Sequence, residues 1–186
     1  MNNRWTLKNK NALITGATRG IGKAIVEEFL SLGAEVFLVS RNENDIKEEI
    51  KKYTDKGYIA AGMECDVTKE SDRKNLFDEI LKKYNSLDIL INNAGTNTRK
   101  RTLDNTIDDF EYLTSLNMKS VFELCRIFQP LLKESGSGSI VNIVSVAGIT
   151  SVGTGSPYAI SKAGIIHFTK YLSVEWAKDN IRVNAV

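Results

Sequence analysis

Histidine and cysteine are scarce, with one His and two Cys in 186 residues. Cys65 and Cys125 lie far apart and in no C-x-x-C pair, so they read as free thiols of a reducing cytoplasm rather than as a disulfide framework. With so few ligands, no protein-built metal site is expected. Only two prolines and a 42% hydrophobic content exclude a disordered, collagen-like or low-complexity chain. No run approaches the ~18 consecutive apolar residues of a membrane helix. The opening Met1-Asn2-Asn3-Arg4-Trp5 lacks the apolar core of a signal peptide. The expectation is therefore a cytoplasmic protein. Charge of one sign is missing too: 25 basic against 23 acidic residues leave +2, too little to argue for nucleic acid or a membrane surface as partner. A small molecule is the expected partner.

What the chain does have is alternation. Short apolar runs rich in Val and Ile alternate with longer amphipathic stretches, the pattern of repeated β-α units. Strands are expected at Asn11–Thr15, Glu35–Val39, Tyr58–Met63, Leu87–Asn92, Ser139–Ser145 and from Ile181 onward. Helices are expected near 21–32, 44–56, 71–84, 107–133 and 157–178, with Gly33 as the C-cap of the first. The run Leu-Asp-Ile-Leu-Ile-Asn suits a strand covered on both faces, as in a parallel sheet. The predicted fold class is α/β, a doubly wound parallel sheet of Rossmann-like type, as one dinucleotide-binding domain over residues 1–186.

Between the first strand and first helix lies Thr15-Gly16-Ala17-Thr18-Arg19-Gly20-Ile21-Gly22. The turn off the strand needs a permissive backbone, a pyrophosphate must approach main-chain N–H groups, and the helix must pack closely on the sheet. The helix N-terminus then holds the phosphates. A glycine cluster alone often marks a plain turn; its strand-turn-helix context carries the reading. Eighteen residues beyond Gly22 the second strand ends in Ser40-Arg41. An acid here would bind the ribose 2′-hydroxyl of NAD, whereas a hydroxyl and a guanidinium suit the 2′-phosphate of NADP. Arg19 offers a second positive charge to the same ribose. Both arginines could instead be solvated surface residues; their convergence favours NADP (NADPH) over NAD.

The second signal is Tyr158-Ala159-Ile160-Ser161-Lys162. With six tyrosines in the chain, such a spacing arises readily by accident, so its placement decides. Ser156 as N-cap and Pro157 as first helical residue put Tyr158 in the first turn. Positions i and i+4 share a helix face, which brings the Lys162 ammonium beside the phenol, and the helix dipole acts in the same sense. At ~5 Å and an effective dielectric near ~20 the attraction is on the order of 3 kcal/mol in favour of the phenolate. Tyr158 is thereby a candidate general acid. Ser145, thirteen residues earlier, is expected at the carboxyl end of the fifth strand, facing the same crevice; its plainer reading is a strand-end cap. Asn117 interrupts the apolar stripe Phe110, Leu113, Val121, Leu124, Phe128 and Leu131. Buried there, its amide either satisfies local backbone or organises a water or lysine in the site.

These residues together resemble the short-chain dehydrogenase/reductase family. The T-G-x-x-x-G-I-G turn, Asp66-Val67, Asn92-Asn93-Ala94-Gly95, Asn117, Ser145, Tyr158 and Lys162 occur in family order and spacing over the whole chain. The opening, the segment Val39-Ser40-Arg41-Asn42, and Glu175-Trp176-Ala177-Lys178-Asp179-Asn180 are most similar to tropinone-reductase-like members, with 3-oxoacyl-carrier-protein reductases next. The resemblance implies that Thr15, Gly16, Gly20, Ile21 and Gly22 form the cofactor turn, that Asp66 and Val67 contact the adenine, and that Asn93, Ala94 and Gly95 line the groove. It implies that Tyr158 and Lys162 also touch the cofactor, Lys162 at the nicotinamide ribose, and that Asn117 supports a water relaying protons to Lys162. Ser145 would hold the substrate carbonyl oxygen while Tyr158 donates the proton and NADPH the hydride. It also implies a homo-oligomer, tetramer or dimer.

The family normally continues past the sixth strand through a substrate lid and a seventh strand. The expectation is that this chain, ending at Val186, is C-terminally incomplete, with its terminal strand an unprotected edge. His167, the basic cluster Arg99-Lys100-Arg101 and Asp108-Asp109 read as structural or solvated residues. Two functions follow: an NADP-dependent carbonyl reductase or alcohol dehydrogenase, or a catalytically silent NADP-binding sensor or structural subunit.

Overall fold

The computed structural model describes residues 5–186. Six strands, β1 (Asn11–Thr15), β2 (Glu35–Ser40), β3 (Ala60–Glu64), β4 (Ile89–Asn92), β5 (Ser139–Asn142) and β6 (Arg182–Ala185), form one sheet in the order β3-β2-β1-β4-β5-β6. Every pairing is parallel. Alternation along β1 shows why the central strands are mostly apolar on both faces: Ala12 and Ile14 pack into one helical layer, and Leu13 between them packs into the other. The helices α1 (Gly20–Ser31) and α2 (Glu43–Thr54) cover the first face, while α3 (Glu70–Tyr84), α5 (Ser120–Glu134) and α6 (Ser156–Glu175) cover the second. The doubly wound α/β sheet expected from the sequence is what the chain adopts.

Strand order fixes where a ligand goes. The chain runs from β1 outward to β3, then returns to place β4 on the other side of β1, so the connections diverge at the carboxyl ends of β1 and β4. Such a switch point leaves a crevice between the diverging connections. At the opposite end, Asp88 ties the sheet together by accepting from the Asn11 N–H at 2.9 Å and the Lys10 ammonium at 2.6 Å.

Element boundaries follow local chemistry. Asn42 caps α2 through a side-chain oxygen that accepts from the Asn44 and Asp45 N–H groups. The first helix ends at Ser31 with Leu32 as its C-cap, and Gly33 follows in the left-handed region with φ +90, so the glycine sits one place beyond the cap position expected of it. Three departures matter near the site. The helix expected over 107–133 is α4 (Ile107–Thr114) and α5 joined by a π-helical segment, Ser115–Lys119. Strand β5 stops at Asn142, so Ser145 lies beyond it and opens a short 3₁₀ turn, Val146–Gly148. Helix α6 starts at Ser156 with Gly155, at φ 105, in the N-cap position; the Ser156 hydroxyl accepts from Thr102 at 3.0 Å instead of capping. The same helix ends at Glu175, and a 3₁₀ turn, Ala177–Asp179, leads to β6.

Candidate active site

The floor of the crevice is built on Thr15. Buried at the end of β1, its hydroxyl donates to the Ile91 carbonyl and accepts from the Asn93 and Ala94 N–H groups, both at 3.0 Å. The Asn93 amide in turn donates to the Thr15 and Gly16 carbonyls at 2.9 and 3.0 Å. One hydroxyl and one amide thus lock the ends of β1 and β4 together. Gly16 bends the chain at φ +63, and a Cβ there would lie 2.8 Å from the Asn93 nitrogen. Gly22 is closer still: a Cβ would stand 2.1 Å from the Gly16 carbonyl oxygen, so α1 can approach the turn only without a side chain. No side chain caps the N-terminus of α1, whose first residues Gly20 and Ile21 face the cleft.

The cleft has a volume of about 820 Å³, within the range of small-molecule sites. Gly16, Arg19, Gly20 and Ile21 form one wall; Ser40, Arg41 and Asn42, with Asp45 in the first turn of α2, form the next. The Thr18 hydroxyl donates to the Ser40 hydroxyl at 3.3 Å, tying these walls together. Cys65 and Val67 follow β3, Asn93, Ala94 and Gly95 follow β4, and Tyr158 and Lys162 come from α6. Thr15, Gly22, Asp66, Asn117 and Ser145 are not among the lining residues: they stand behind or beside the wall. The Asp66 carboxyl sits below its ordinary range. Burial opposes its ionisation, but hydrogen bonds from the Thr68 hydroxyl and N–H, with the nearby Arg41 and Lys69 charges, outweigh it.

Tyr158 and Lys162 lie one helical turn apart and share this cleft. The Lys162 nitrogen sits 5.7 Å from the centroid of the Tyr158 ring and donates to the Ile143 carbonyl at 2.7 Å. With only 6% of the lysine exposed, burial lowers its pKa from 10.5 to about 8. Asn117, fully buried on the π-helical segment, accepts from the Thr96 N–H and donates to the Thr96 carbonyl, both at 2.9 Å. These bonds satisfy the local backbone, as the first of the two readings of this amide expects. A Cβ on Gly95 would meet the Asn117 oxygen at 2.8 Å, so the amide and the glycine set how closely this loop lies on the helix. The Ser145 hydroxyl accepts from the Ala147 N–H at 3.1 Å, the plainer of its two readings.

Other contributors were not singled out from the sequence. Asn97 lines the cleft and donates to the Thr154 carbonyl at 2.9 Å, joining the loop after β4 to the loop before α6. Cys65 also lines it; burial, with the Asp72 and Asp66 charges, pushes its thiol up to about 12. Beneath the cleft runs a buried polar line: Asn92 donates to the Cys125 sulfur at 3.3 Å and to the Asn142 oxygen at 2.8 Å, and Asn142 donates to the Thr169 hydroxyl at 2.9 Å. Polar residues at β4 and β5 positions where the sheet is otherwise apolar are the signal that could have revealed it.

A doubly wound parallel sheet, a glycine turn opening α1 at its switch point, and a Tyr-Lys pair on one face of α6 define a nucleotide-dependent oxidoreductase class. The family model described as short chain dehydrogenase matches residues 10–186, and the chain belongs to the short-chain dehydrogenase/reductase family. Within it the chain is tropinone-reductase-like. It is 46% identical over 184 residues to a tropinone reductase homologue of Datura stramonium, covering 98% of this chain and 69% of the relative. A chloroplastic tropinone reductase homologue of Arabidopsis thaliana is 45% identical, with 98% of this chain and 57% of the relative covered. A gluconate 5-dehydrogenase of Burkholderia cenocepacia, solved in complex with NADP and tartrate, superposes with a TM-score of 0.92 at 30% identity, covering 98% of this chain and 71% of that one.

Proposed function

We propose that the protein is an NADP(H)-dependent oxidoreductase that interconverts a carbonyl and a secondary alcohol. The observation that carries this reading is the shared compartment: the Tyr158 ring and the Lys162 ammonium stand 5.7 Å apart in one cleft with the glycine turn. The uncapped N-terminus of α1 and the glycine positions where a Cβ would fill the floor fit a pyrophosphate drawn close to main-chain N–H groups. When bound, the nicotinamide supplies the hydride. The residues of the chain handle the proton and the charge. Tyr158 donates to the oxygen that gains electrons, and Lys162, held by the Ile143 carbonyl, offers positive charge to the phenolate left behind. Ser145 holds the carbonyl oxygen once its hydroxyl turns from the Ala147 N–H. Asn117 acts by fixing the Thr96 backbone against the helix that faces Lys162.

For the coenzyme, support comes from Ser40, Arg41 and Arg19 on neighbouring walls and from the NADP that the gluconate 5-dehydrogenase neighbour holds. Asp45 stands on the same rim, and the Asp66 carboxyl lies near Arg41 and Lys69; three cations against two carboxylates leave the balance positive, which favours a phosphate over a bare ribose. Exposed apolar side chains on the outer faces of α5 and α6, among them Phe122, Tyr171 and Val174, support a homo-oligomer.

The test is Tyr158→Phe. With NADPH and a panel of ketones, the variant is expected to lose at least ~100-fold in turnover, the usual contribution of a positioned acid, while its Kd for NADPH stays nearly unchanged. Equal turnover in variant and parent protein overturns the reading.

A further inference from the structure

Arg41 lines the cleft and reaches a partner on the α4 side of its mouth. It leaves the end of β2, and its Nη1 donates to the phenol oxygen of Tyr112 at 3.4 Å, the long end of the hydrogen-bonding range. Tyr112 belongs to α4 and precedes the cleft-lining Leu116 by one helical turn. The contact therefore spans the mouth of the cleft from the β2 half of the molecule to the α4 half, at a sequence separation of 71. Both partners are solvent-accessible, Tyr112 at 43%, so the pair is not a piece of core.

We propose that Tyr112 is a positioning residue for anion recognition: its phenol holds the Arg41 guanidinium over the mouth of the cleft and presents its own O–H beside it, forming a two-donor clamp for a ribose phosphate monoester. The inference rests on the coenzyme reading above and deepens it. A free arginine samples many rotamers and loses that freedom when it binds. Tethered at Nη1, the guanidinium keeps its remaining N–H donors for a ligand. The phenol oxygen accepts from Arg41, and its hydrogen has no protein acceptor among the described residues. A phosphate arriving there meets a charged fork and a neutral donor side by side, an arrangement that gives a dianionic monoester charge-assisted bonds that an unphosphorylated ribose cannot make.

The experiment measures binding of two nucleotide fragments, 2′,5′-ADP and 5′-AMP, by calorimetry on the parent chain and on Tyr112→Phe, Tyr112→His and Arg41→Ala. Tyr112→Phe is expected to weaken 2′,5′-ADP about fivefold, the loss of one modest hydrogen bond, with 5′-AMP unchanged, so 5′-AMP also reports that the variant is folded. Tyr112→His, which restores a polar group on a ring, recovers part of the loss. A Tyr112→Phe variant that keeps its 2′,5′-ADP affinity while Arg41→Ala loses it overturns the role of Tyr112 and leaves the coenzyme reading standing. If Arg41→Ala binds both fragments as the parent does, the coenzyme reading itself falls, and this inference with it. Equal weakening of both fragments by Tyr112→Phe assigns the phenol a general structural role and also overturns the proposal.

Discussion

At the scale of single residues, Lys162 shows how burial sets chemistry. Its ammonium is disfavoured in the folded chain, so its proton leaves near pH 8, whereas in the unfolded chain it leaves near 10.5. Between those values the unfolded state binds more protons, and stability rises with pH. Below about 8 the folded state carries the full cost of holding the charge. Urea unfolding of the parent and of Lys162→Met at pH 7.5 and at pH 10 is expected to show a gain for the parent, on the order of 2–3 kcal/mol, that the variant lacks. Parallel pH profiles for the two proteins would contradict it. The same cost gives the site its use: an ammonium kept dry and tethered by one carbonyl acts on its neighbour through a medium that screens it little.

At the scale of elements, the π-helical segment is where sequence and structure part most clearly. An apolar stripe of helical spacing runs from Phe110 to Leu131 and predicts one continuous helix. The structure keeps the stripe but inserts an i→i+5 segment at Ser115–Lys119. Periodicity does not register one added residue when apolar residues flank it on both sides. Asn117 was the visible anomaly, since an amide in an apolar stripe must find partners, and it finds both on the Thr96 backbone. Asn117→Ala leaves a backbone N–H and a carbonyl unpaired in a part-buried place, with an expected loss of about 2–4 kcal/mol, read as a lower urea midpoint at unchanged slope. A change under ~0.5 kcal/mol would mean that water replaces both bonds.

Most of what faces the cleft was legible because it is local. Gly16, Gly20 and Ser40-Arg41 announce themselves by lying between strand ends and helices, and Tyr158 and Lys162 by a one-turn spacing that begins in the first turn of a helix. Ser145 was legible as a residue but not in orientation, because two residues separate the end of β5 from it and its hydroxyl turns to the local backbone. The Arg41–Tyr112 and Asn97–Thr154 contacts were not legible at all, since each joins segments brought together only by the sheet order.

At the scale of the whole molecule, the cleft is walled by both halves of the sheet, so a ligand there couples them. A nucleotide bound to the folded chain alone stabilises it by RT ln(1 + [L]/Kd), about 2.7 kcal/mol at a hundredfold excess over Kd. NADP at that excess is expected to raise the unfolding temperature by several degrees, with slower amide hydrogen exchange in both the β1–α1 turn and the β4–α4 loop. Protection confined to one half would show that the ligand lies outside the cleft.

The polar line from Cys125 through Asn92 and Asn142 to Thr169 runs between α5, the sheet and α6. Each amide donor in it finds an acceptor, while the Asn92 side-chain oxygen is left without a partner, so exchanging Asn142 or Thr169 for a hydrocarbon strands a further polar group in a dry interior. Only wholesale replacement of the row would be tolerated. The two helices beneath the nucleotide crevice are consequently held in one register, and the Tyr158–Lys162 helix has no freedom to slide when the core around it is repacked.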